Sequence, residues 1–576
     1  MYRVENVAAA VRNGAVGLRD VWAGAATGDV TKDRAVLAAL AHLIALQEPV
    51  DRDGALALFD RLGARSVPPP ARMVYAQLKQ SPWMRVGRRV RWEILTDRAN
   101  PFRHSRRSQA LWLRLFRAGL PSPAVRLDGR TGPVPFDRLC TAPVTPIDRP
   151  ELISVVVTAY RPDIGLLTAV RSILAQSWRN LEVLIVDDGS PPEFDPILER
   201  AVALDRRVRL LRQAANAGTY VARNAGLDAA RGPFVTFQDS DDWSHPRRLE
   251  RQVTPLLRDP EPVATTSDGR RVTEDLTLTR LGLSGGRLNP SALLFRREPV
   301  LETAGYLDVV RKGGDSEYIE RITAAFGPGA VRHLPEHLAL IRLSGGSLSR
   351  AEIRPYWIHP ARALYRSGYL AWHRRIASGE AAAFRPKDGS GRPFPAPAHL
   401  LRSASDQVLT ETYDVIVTAD WREPGETQRS ALAEIAALLR HGLRVAILHL
   451  EDWRRPSRTR LPVHHTAQDL VNAGRIGQVA LTDPVQCGVL LVRQAEVLRH
   501  LPAEQVGIVP RTVLVLLDDV PDGVVDAGIF GVTPLWCPRT RAIRAAAADV
   551  ALTAFDLPHD PADFANRIAA HARNGR

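Results

Sequence analysis

Hydrophobic and polar positions change rhythm along the chain, and the changes mark boundaries. The first stretch is helical in pattern. RAVLAALAHLIAL (34–46) is apolar on every face, whereas DRDGALALFDRLG (51–63) has a narrow apolar stripe with charge opposite. Residues 1–120 are therefore expected to form a helical N-terminal domain. Prolines at 68–70 and through 121–150 (LPSPAV, TGPVPF, TAPVTPIDRP) interrupt it, and the second cluster reads as a linker.

From residue 151 short β-branched runs alternate with helical patterns: ISVVVTAY, LLTAVRSILAQSW, LEVLIVDD, PILERAVAL, VRLLRQ. This predicts an α/β domain over 151–350, a parallel or mostly parallel sheet with helices on its faces. A connector of helical and proline-rich character follows over 351–410 and contains FRPKDGSGRPFPAPAH. A second alternation (YDVIVTADW, SALAEIAALLRHG, LRVAILHL, GVLLV, TVLVLL) predicts a separate α/β domain over 411–576.

Composition adjusts this picture only slightly. A net charge of +14 over 576 residues raises nucleic acid or an anionic membrane as partner, yet lysine occurs only at Lys32, Lys79, Lys312 and Lys387. Arginine and alanine bias of this kind reflects a GC-rich genome, so where charge clusters matters more than its sum. One cluster is 85–119, where arginines interleave with Trp92, Phe102, Trp112 and Phe116. It is expected either to touch an anionic membrane peripherally or to turn its aromatics inward. No nucleic-acid module is apparent, and no nucleic-acid partner is expected. Cys140, Cys487 and Cys537 lack metal-ligand spacing. Neither a signal peptide nor a run of about 18 apolar residues is present, so a cytoplasmic location is expected.

The chemistry lies at strand ends. LEVLIVDDGS delivers Asp187 and Asp188, and GPFVTFQDSDDW delivers Asp239, Asp241 and Asp242. In open α/β sheets ligands sit beyond the carboxyl ends of strands. Period-2 geometry points Asp239 and Asp241 to one side, where two carboxylates can share a hard cation; acidic turns after strands are the plainer alternative. Between the clusters NAGTYVARNAGLDAARG opens a small-residue helix carrying Arg223 and Asn224. Helix N-termini and guanidinium groups attract phosphate.

In this order ISVVVTAYRP, AVRSILAQSWRNLEVLIVDDGS and NAGTYVARNAGLDAARGPFVTFQDSDDW resemble the donor half of the family-two inverting glycosyltransferases with the GT-A fold. The resemblance continues through SALLFRREPVLETAGYLDVVRKGGDSEYIERI to LALIRLSGGSLSR. It implies a nucleotide-diphospho-sugar transferase domain moving a sugar, from a UDP-sugar, to a glycan or lipid-linked acceptor in cell-surface polysaccharide synthesis. Thr158, Tyr160, Asp187, Asp188, Arg223, Asn224, Asp239 and Ser240 would then serve the donor, and Asp239 and Asp241 would hold Mn²⁺ or Mg²⁺. Asp315, with Glu317 close by, would be the general base. Gly314 stands where relatives often have glutamate, and LALIRLSGG lacks the histidine many relatives carry there. Residues 411–576 loosely resemble one Rossmann-like half of a GT-B glycosyltransferase, which implies a noncatalytic role in acceptor binding or assembly. A nucleotide-binding scaffold without transfer activity is the competing reading.

Overall fold

The computed structural model describes residues 34–46, 52–104, 107–129, 134–343, 352–354, 357–401, 411–452, 461–498, 501, 506–518, 528–546, 557–558 and 560–573. The SGGSLSR part of the family-like stretch, and residues 1–33 of the expected N-terminal domain, lie outside these. The chain divides into two compact units. One takes in Arg52–Ser349 and His373–Arg392, the other Met1–Asp51, Arg350–Trp372 and Pro393–Arg576.

The first unit is built on an eight-stranded sheet: β1 Ile153–Ala159, β2 Leu181–Asp187, β3 Val208–Arg212, β4 Phe234–Asp239, β5 Trp243–Ser244, β6 Ala264–Thr273, β7 Arg287–Arg296 and β8 Val331–Leu343. Their spatial order is β3-β2-β1-β4-β7-β6-β8-β5. The first four are mutually parallel. β7 runs antiparallel between β4 and β6, β8 lies parallel to β6, and β5 closes the edge antiparallel to β8. The mostly parallel sheet expected over 151–350 is thus present, with one reversed strand inside it.

Every residue of β1 and β2 is buried, as parallel strands covered on both faces require. Four helices precede the sheet: α1 Arg52–Leu62, α2 Pro69–Leu78, α3 Arg88–Arg98 and α4 Gln109–Arg117. Within it follow α5 Gly165–Leu174, α6 Asp195–Val202, α7 Thr219–Ala229, α8 Arg248–Arg258 and α9 Gly314–Phe326. On one face Leu166, Val170, Leu249 and Val253 of α5 and α8 join Val155, Val157, Val183 and Ile185 in a single apolar cluster. α7 covers the opposite face at close range, since a Cβ on Gly226 would lie 2.3 Å from Val156.

Helices α1–α4 do not stand apart as the expected N-terminal domain; they group with the sheet. Asp97 of α3 accepts from the amides of Leu278 (2.8 Å) and Thr279 (2.7 Å), and Asn100 donates to the Asp275 carbonyl (2.8 Å). Trp112 and Phe116 are fully buried with Val272, Leu276 and Leu340. The aromatics of 85–119 therefore turn inward: α4 has an apolar stripe, and the sheet supplies its partner. The proline-rich 121–150 stretch is likewise more than a linker. It forms a hairpin, Val125–Leu127 with Leu139–Thr141, around a buried Phe136.

The second unit holds six parallel strands: β9 Glu411–Ala419, β10 Val445–His449, β11 Gly477–Val479, β12 Val485–Val492, β13 Ile508–Leu517 and β14 Leu535–Pro538. Their order, β11-β10-β9-β12-β13-β14, reverses direction between β9 and β12, the doubly wound arrangement expected for a Rossmann-like domain. Helices α10 Glu426–Arg440 and α11 Pro561–Arg573 cover one face. After β9 the Asp420 amide donates to Gln494 (2.7 Å), and Gln428 donates to the Asp420 carbonyl (2.6 Å). Glutamine side chains thus brace the backbone that follows β9.

Candidate active site

The carboxylates at the end of β4 are set by a guanidinium beneath them. Arg248, 1% exposed, donates to Gln252 (3.0 Å), Gln238 (2.7 Å), Ser244 (2.9 Å), Thr236 (2.6 Å) and the Phe237 carbonyl (2.7 Å). Burial pushes it down to about 10. With its donors satisfied it pins β4, β5 and α8 together and fixes where the acidic turn begins.

Beyond that point Asp239 is held from two sides. Arg223 Nη2 donates to Oδ1 at 2.8 Å, and the Ser291 hydroxyl donates to Oδ2 at 2.7 Å. Arg223 is buried over the rings of Phe237 and Tyr220, and its Nε and Nη1 have no hydrogen-bond partner. Asp241 follows, with its Cα 3.4 Å from where a Cβ on Gly165 would lie, and that loop carries Asp163. Burial and Asp239 push the Asp241 carboxyl up to about 6. Asp242 is fully buried, accepts from the Arg342 amide at 2.9 Å, and is raised well above the usual carboxylate range by burial and its two acidic neighbours. Ser240 sits partly exposed between them.

Whether a divalent cation fits can be tested on these donors. Among the described residues no group of three or more His, Cys, Asp or Glu stands ready to hold a metal. The Asp241 carboxylate, however, accepts no hydrogen bond from another described residue, and burial and Asp239 raise its pKa against the opposing pull of Arg342. Asp239 and Asp241 offer hard oxygen donors of the kind that suits Mn²⁺ or Mg²⁺, whose remaining positions diphosphate and water would fill.

Three loops converge beside the acids. Tyr160 is 43% exposed at the lip, with the Arg161 guanidinium 5.3 Å from its ring centre. The Arg161 amide donates to Ser190 Oγ at 2.8 Å. Gly189 adopts φ +73°, and a Cβ there would fall 2.6 Å from the Ala215 backbone. Asp187 accepts from the Ser190 amide (3.1 Å), and Asp188 accepts from the amides of Ala217 and Gly218 (both 2.9 Å). Both acids are buried. Their role in the structure is to clamp these loops together. Thr158 pairs with Thr219 at 2.9 Å and anchors the start of α7.

Asp315 lies partly exposed in the first turn of α9, where a carboxylate favours the helix N-terminus. It lies against Tyr220, whose hydroxyl accepts from the Gly313 amide at 3.1 Å and is raised by burial and by Asp315. Asp315 also acts electrostatically on Arg223.

Two residues expected at the site are placed elsewhere. Asn224 is fully buried and exchanges two hydrogen bonds with the Leu307 backbone (2.9 and 3.0 Å); it ties α7 to the segment before α9. Glu317 is fully buried and receives Arg321 on both oxygens (2.9 Å each) and His373 at 3.1 Å. Burial would raise it, but Arg321 and His373 overcome that and hold it at about 2. It cannot take a proton from a substrate.

Sequence reasoning missed Tyr220, Ser291, Arg271 and the pair Asp137–Arg342. Arg342 occupies LALIRL, the stretch noted for lacking a histidine. It donates to the Asp241 carbonyl at 3.2 Å, pairs with Asp137, and lies 4.5 Å from the Phe136 ring centre. Arg271 faces the same acids from β6, where burial lowers its pKa against the opposing pull of Asp242, Asp239 and Asp315.

Comparison with known proteins agrees with this geometry. Residues 154–294 match the model of the family "Glycosyl transferase family 2". An uncharacterized glycosyltransferase of Haemophilus influenzae is 36% identical over 107 residues, covering 19% of this chain and 43% of that protein. Glycosyltransferase GlyG of Streptococcus pneumoniae is 41% identical over 92 residues, covering 16% and 31%. Succinoglycan biosynthesis protein ExoO of Rhizobium meliloti is 41% identical over 107 residues, covering 19% and 30%. The match spans less than half the length of each relative. The β4 acids and the α7 guanidinium fall inside the matched range, residues 154–294, which is thus the part of the chain similar to glycosyl transferase family 2.

Proposed function

We propose that the chain transfers a sugar from a UDP-sugar to a glycan or lipid-linked acceptor in cell-surface polysaccharide synthesis, inverting the anomeric centre. One observation carries this reading. A single turn of α7 holds both ends of the reaction, with Arg223 on Asp239 and Tyr220 against Asp315.

The residues have distinct tasks in it. Tyr160 and the loops clamped by Asp187 and Asp188 receive the nucleoside. Asp239 and Asp241 would hold Mn²⁺ or Mg²⁺, which would supply positive charge where the leaving phosphate becomes negative. Arg223 keeps Asp239 in the orientation that cation needs. Asp315, partly exposed beside Tyr220, takes the proton of the attacking hydroxyl. A nucleotide donor puts the reaction on the cytoplasmic side; among the described residues no helix is long and apolar enough to cross a membrane. Peripheral membrane contact through 85–119 would rest on its arginines, since its aromatics are packed inward. For the second unit, a doubly wound parallel sheet, the proposed role is acceptor binding or assembly.

The test is a thermal-shift panel of nucleoside diphosphates and nucleotide sugars with and without Mn²⁺, followed by assay of UDP release. A Mn²⁺-dependent rise in melting temperature with UDP and a UDP-sugar is expected. No response to any nucleotide would sink the reading.

A further inference from the structure

The sheet does not stop where the acids are. β4 ends at Asp239, but its neighbours β7, β6 and β8 run on, and the register shows what that overhang carries. Ser267 pairs with Asn289 and Gly269 with Arg287. Alternation then puts 267, 269 and 271 of β6 on the same face as 287 and 289 of β7, and a Cβ on Gly269 would lie 3.3 Å from that of Asn289. That face is the site's, because Arg271 lies within the pull of Asp242, Asp239 and Asp315. Arg270 points the other way, its guanidinium 4.6 Å from the ring centre of Trp92. Arg271 and Arg287 are thus diagonal neighbours on the site's face.

The other cations nearby are committed. Arg223 serves Asp239, Arg248 its own network, and Arg342 pairs with Asp137 and Glu274. Arg271 and Arg287 make no hydrogen bond or ion pair among the described residues. Arg271 is half-buried and Arg287 exposed. Two uncommitted guanidinium groups side by side repel each other and are each left without a partner, an arrangement relieved by an anion that bridges them.

We propose that Arg271 and Arg287 form an anion subsite for the acceptor, so that the attacking hydroxyl belongs to a glycan bearing a phosphate or a carboxylate. The inference rests on the sugar-transfer reading above. The overhang lies beyond the carboxylates assigned to the donor diphosphate and within the field of Asp315, which places it on the acceptor's path.

The full chain is assayed for UDP release with octyl β-glucoside, octyl β-glucoside 6-phosphate and octyl β-glucuronide as acceptors. Loss of a charge-assisted contact corresponds to roughly tenfold or more in efficiency. At least one acidic acceptor is therefore expected to exceed the neutral one about tenfold in kcat/KM. R271Q/R287Q should bring that ratio close to one, R271K should keep part of it, and the phosphate and carboxylate arms identify which anion is read. Equal use of neutral and acidic acceptors, failure to use either acidic one, or a preference that survives the double substitution would overturn the proposal. UDP–Mn²⁺ affinity is measured in parallel by calorimetry. A tenfold loss in the double variant would assign the arginines to the donor diphosphate instead, which also overturns it. Failure of the native chain to bind any nucleotide sugar is a different result and removes the transfer reading on which this one stands.

Discussion

Arg223 donates to Asp239 at 2.8 Å from a position only 3% exposed, and two of its other nitrogens have no partner. A buried, half-satisfied guanidinium is costly. Its geometry is kept because it orients one carboxylate. Arg223→Lys retains the charge but not the planar fork. Turnover is expected to fall at least about tenfold, the scale of one charge-assisted hydrogen bond, with a smaller fall for Ser291→Ala. Steady-state kinetics with a UDP-sugar and Mn²⁺ would check both; equal turnover in native protein and Arg223→Lys would remove the orienting role.

Asp315 and Glu317 separate by what each loses. Asp315→Asn should fold normally and bind UDP–Mn²⁺ but lose transfer. Glu317→Gln strips a fully buried salt bridge, which typically costs about 3–5 kcal/mol, so its signature is a large drop in denaturation midpoint. The native contribution of Glu317 follows from its depressed pKa. It is present above the ordinary value of 4.5 and is lost as pH falls through about 2. Denaturant titrations at pH 7 and at pH 3 would therefore show a smaller gap between Glu317→Gln and native protein at the lower pH.

Asp241 should make the metal-free protein sensitive to pH in the opposite sense. Its pKa is raised from an ordinary 3.8 to about 6. Its favourable contribution is full below 3.8 and is lost as pH rises through about 6. Asp241→Asn should flatten that part of the melting profile between pH 4 and 7, leaving the slope due to Asp242. Protons compete with a cation for the carboxylate, so Mn²⁺ affinity in the presence of UDP should weaken below about pH 6. A pH-independent affinity would take Asp241 out of the cation site.

Asn224 is expected to report on stability alone. Asn224→Ala leaves the Leu307 amide and carbonyl buried without partners, at about 1–3 kcal/mol for each unsatisfied group. The melting temperature should fall while the UDP dissociation constant of the folded protein changes less than twofold. Calorimetry well below the transition separates the two effects.

Gly189→Ala tests the loop clamp. The positive φ and the 2.6 Å approach to the Ala215 backbone leave no place for a methyl group. The substitution should cost more than about 1 kcal/mol and weaken nucleotide binding, because the loops at 189 and 215 would have to part.

Much of the first unit was legible because β-branched runs such as ISVVVTA and LEVLIVD can only be buried strands, and acids directly after them must sit at the sheet's carboxyl edge. The errors have a common geometry. Arg223 and Asn224 are adjacent on a helix and so point about 100° apart; Asp315 and Glu317 differ by about 200°. In each pair one residue faces the site and the other must face the core, a constraint already implicit in the helical period. Asp137, Ser291 and Arg271 carried no local signal at all. Sheet register and the return of the 121–150 segment bring them in, and neither is written in any short window of sequence. The independence of α1–α4 was misread for a similar reason: an amphipathic stripe shows that a helix packs, not what it packs on.

The stretch His373–Arg392 belongs to the first unit although it follows a break in that unit's chain. Arg385 and Arg392 reach the buried Asp308 at 3.1 and 3.0 Å, and His373 reaches Glu317. As a portable module, the domain cannot be excised as one continuous piece. A fragment ending near residue 350, where family resemblance fades, would keep all the proposed catalytic groups yet strip both arginines from the buried Asp308 and His373 from Glu317, which retains Arg321. The loss at Asp308 alone is worth about 3–5 kcal/mol, against a typical total stability of about 5–15 kcal/mol. Recombination, proteolysis or expression that separates 350 from 392 should therefore yield a domain that retains its chemistry on paper and loses its fold.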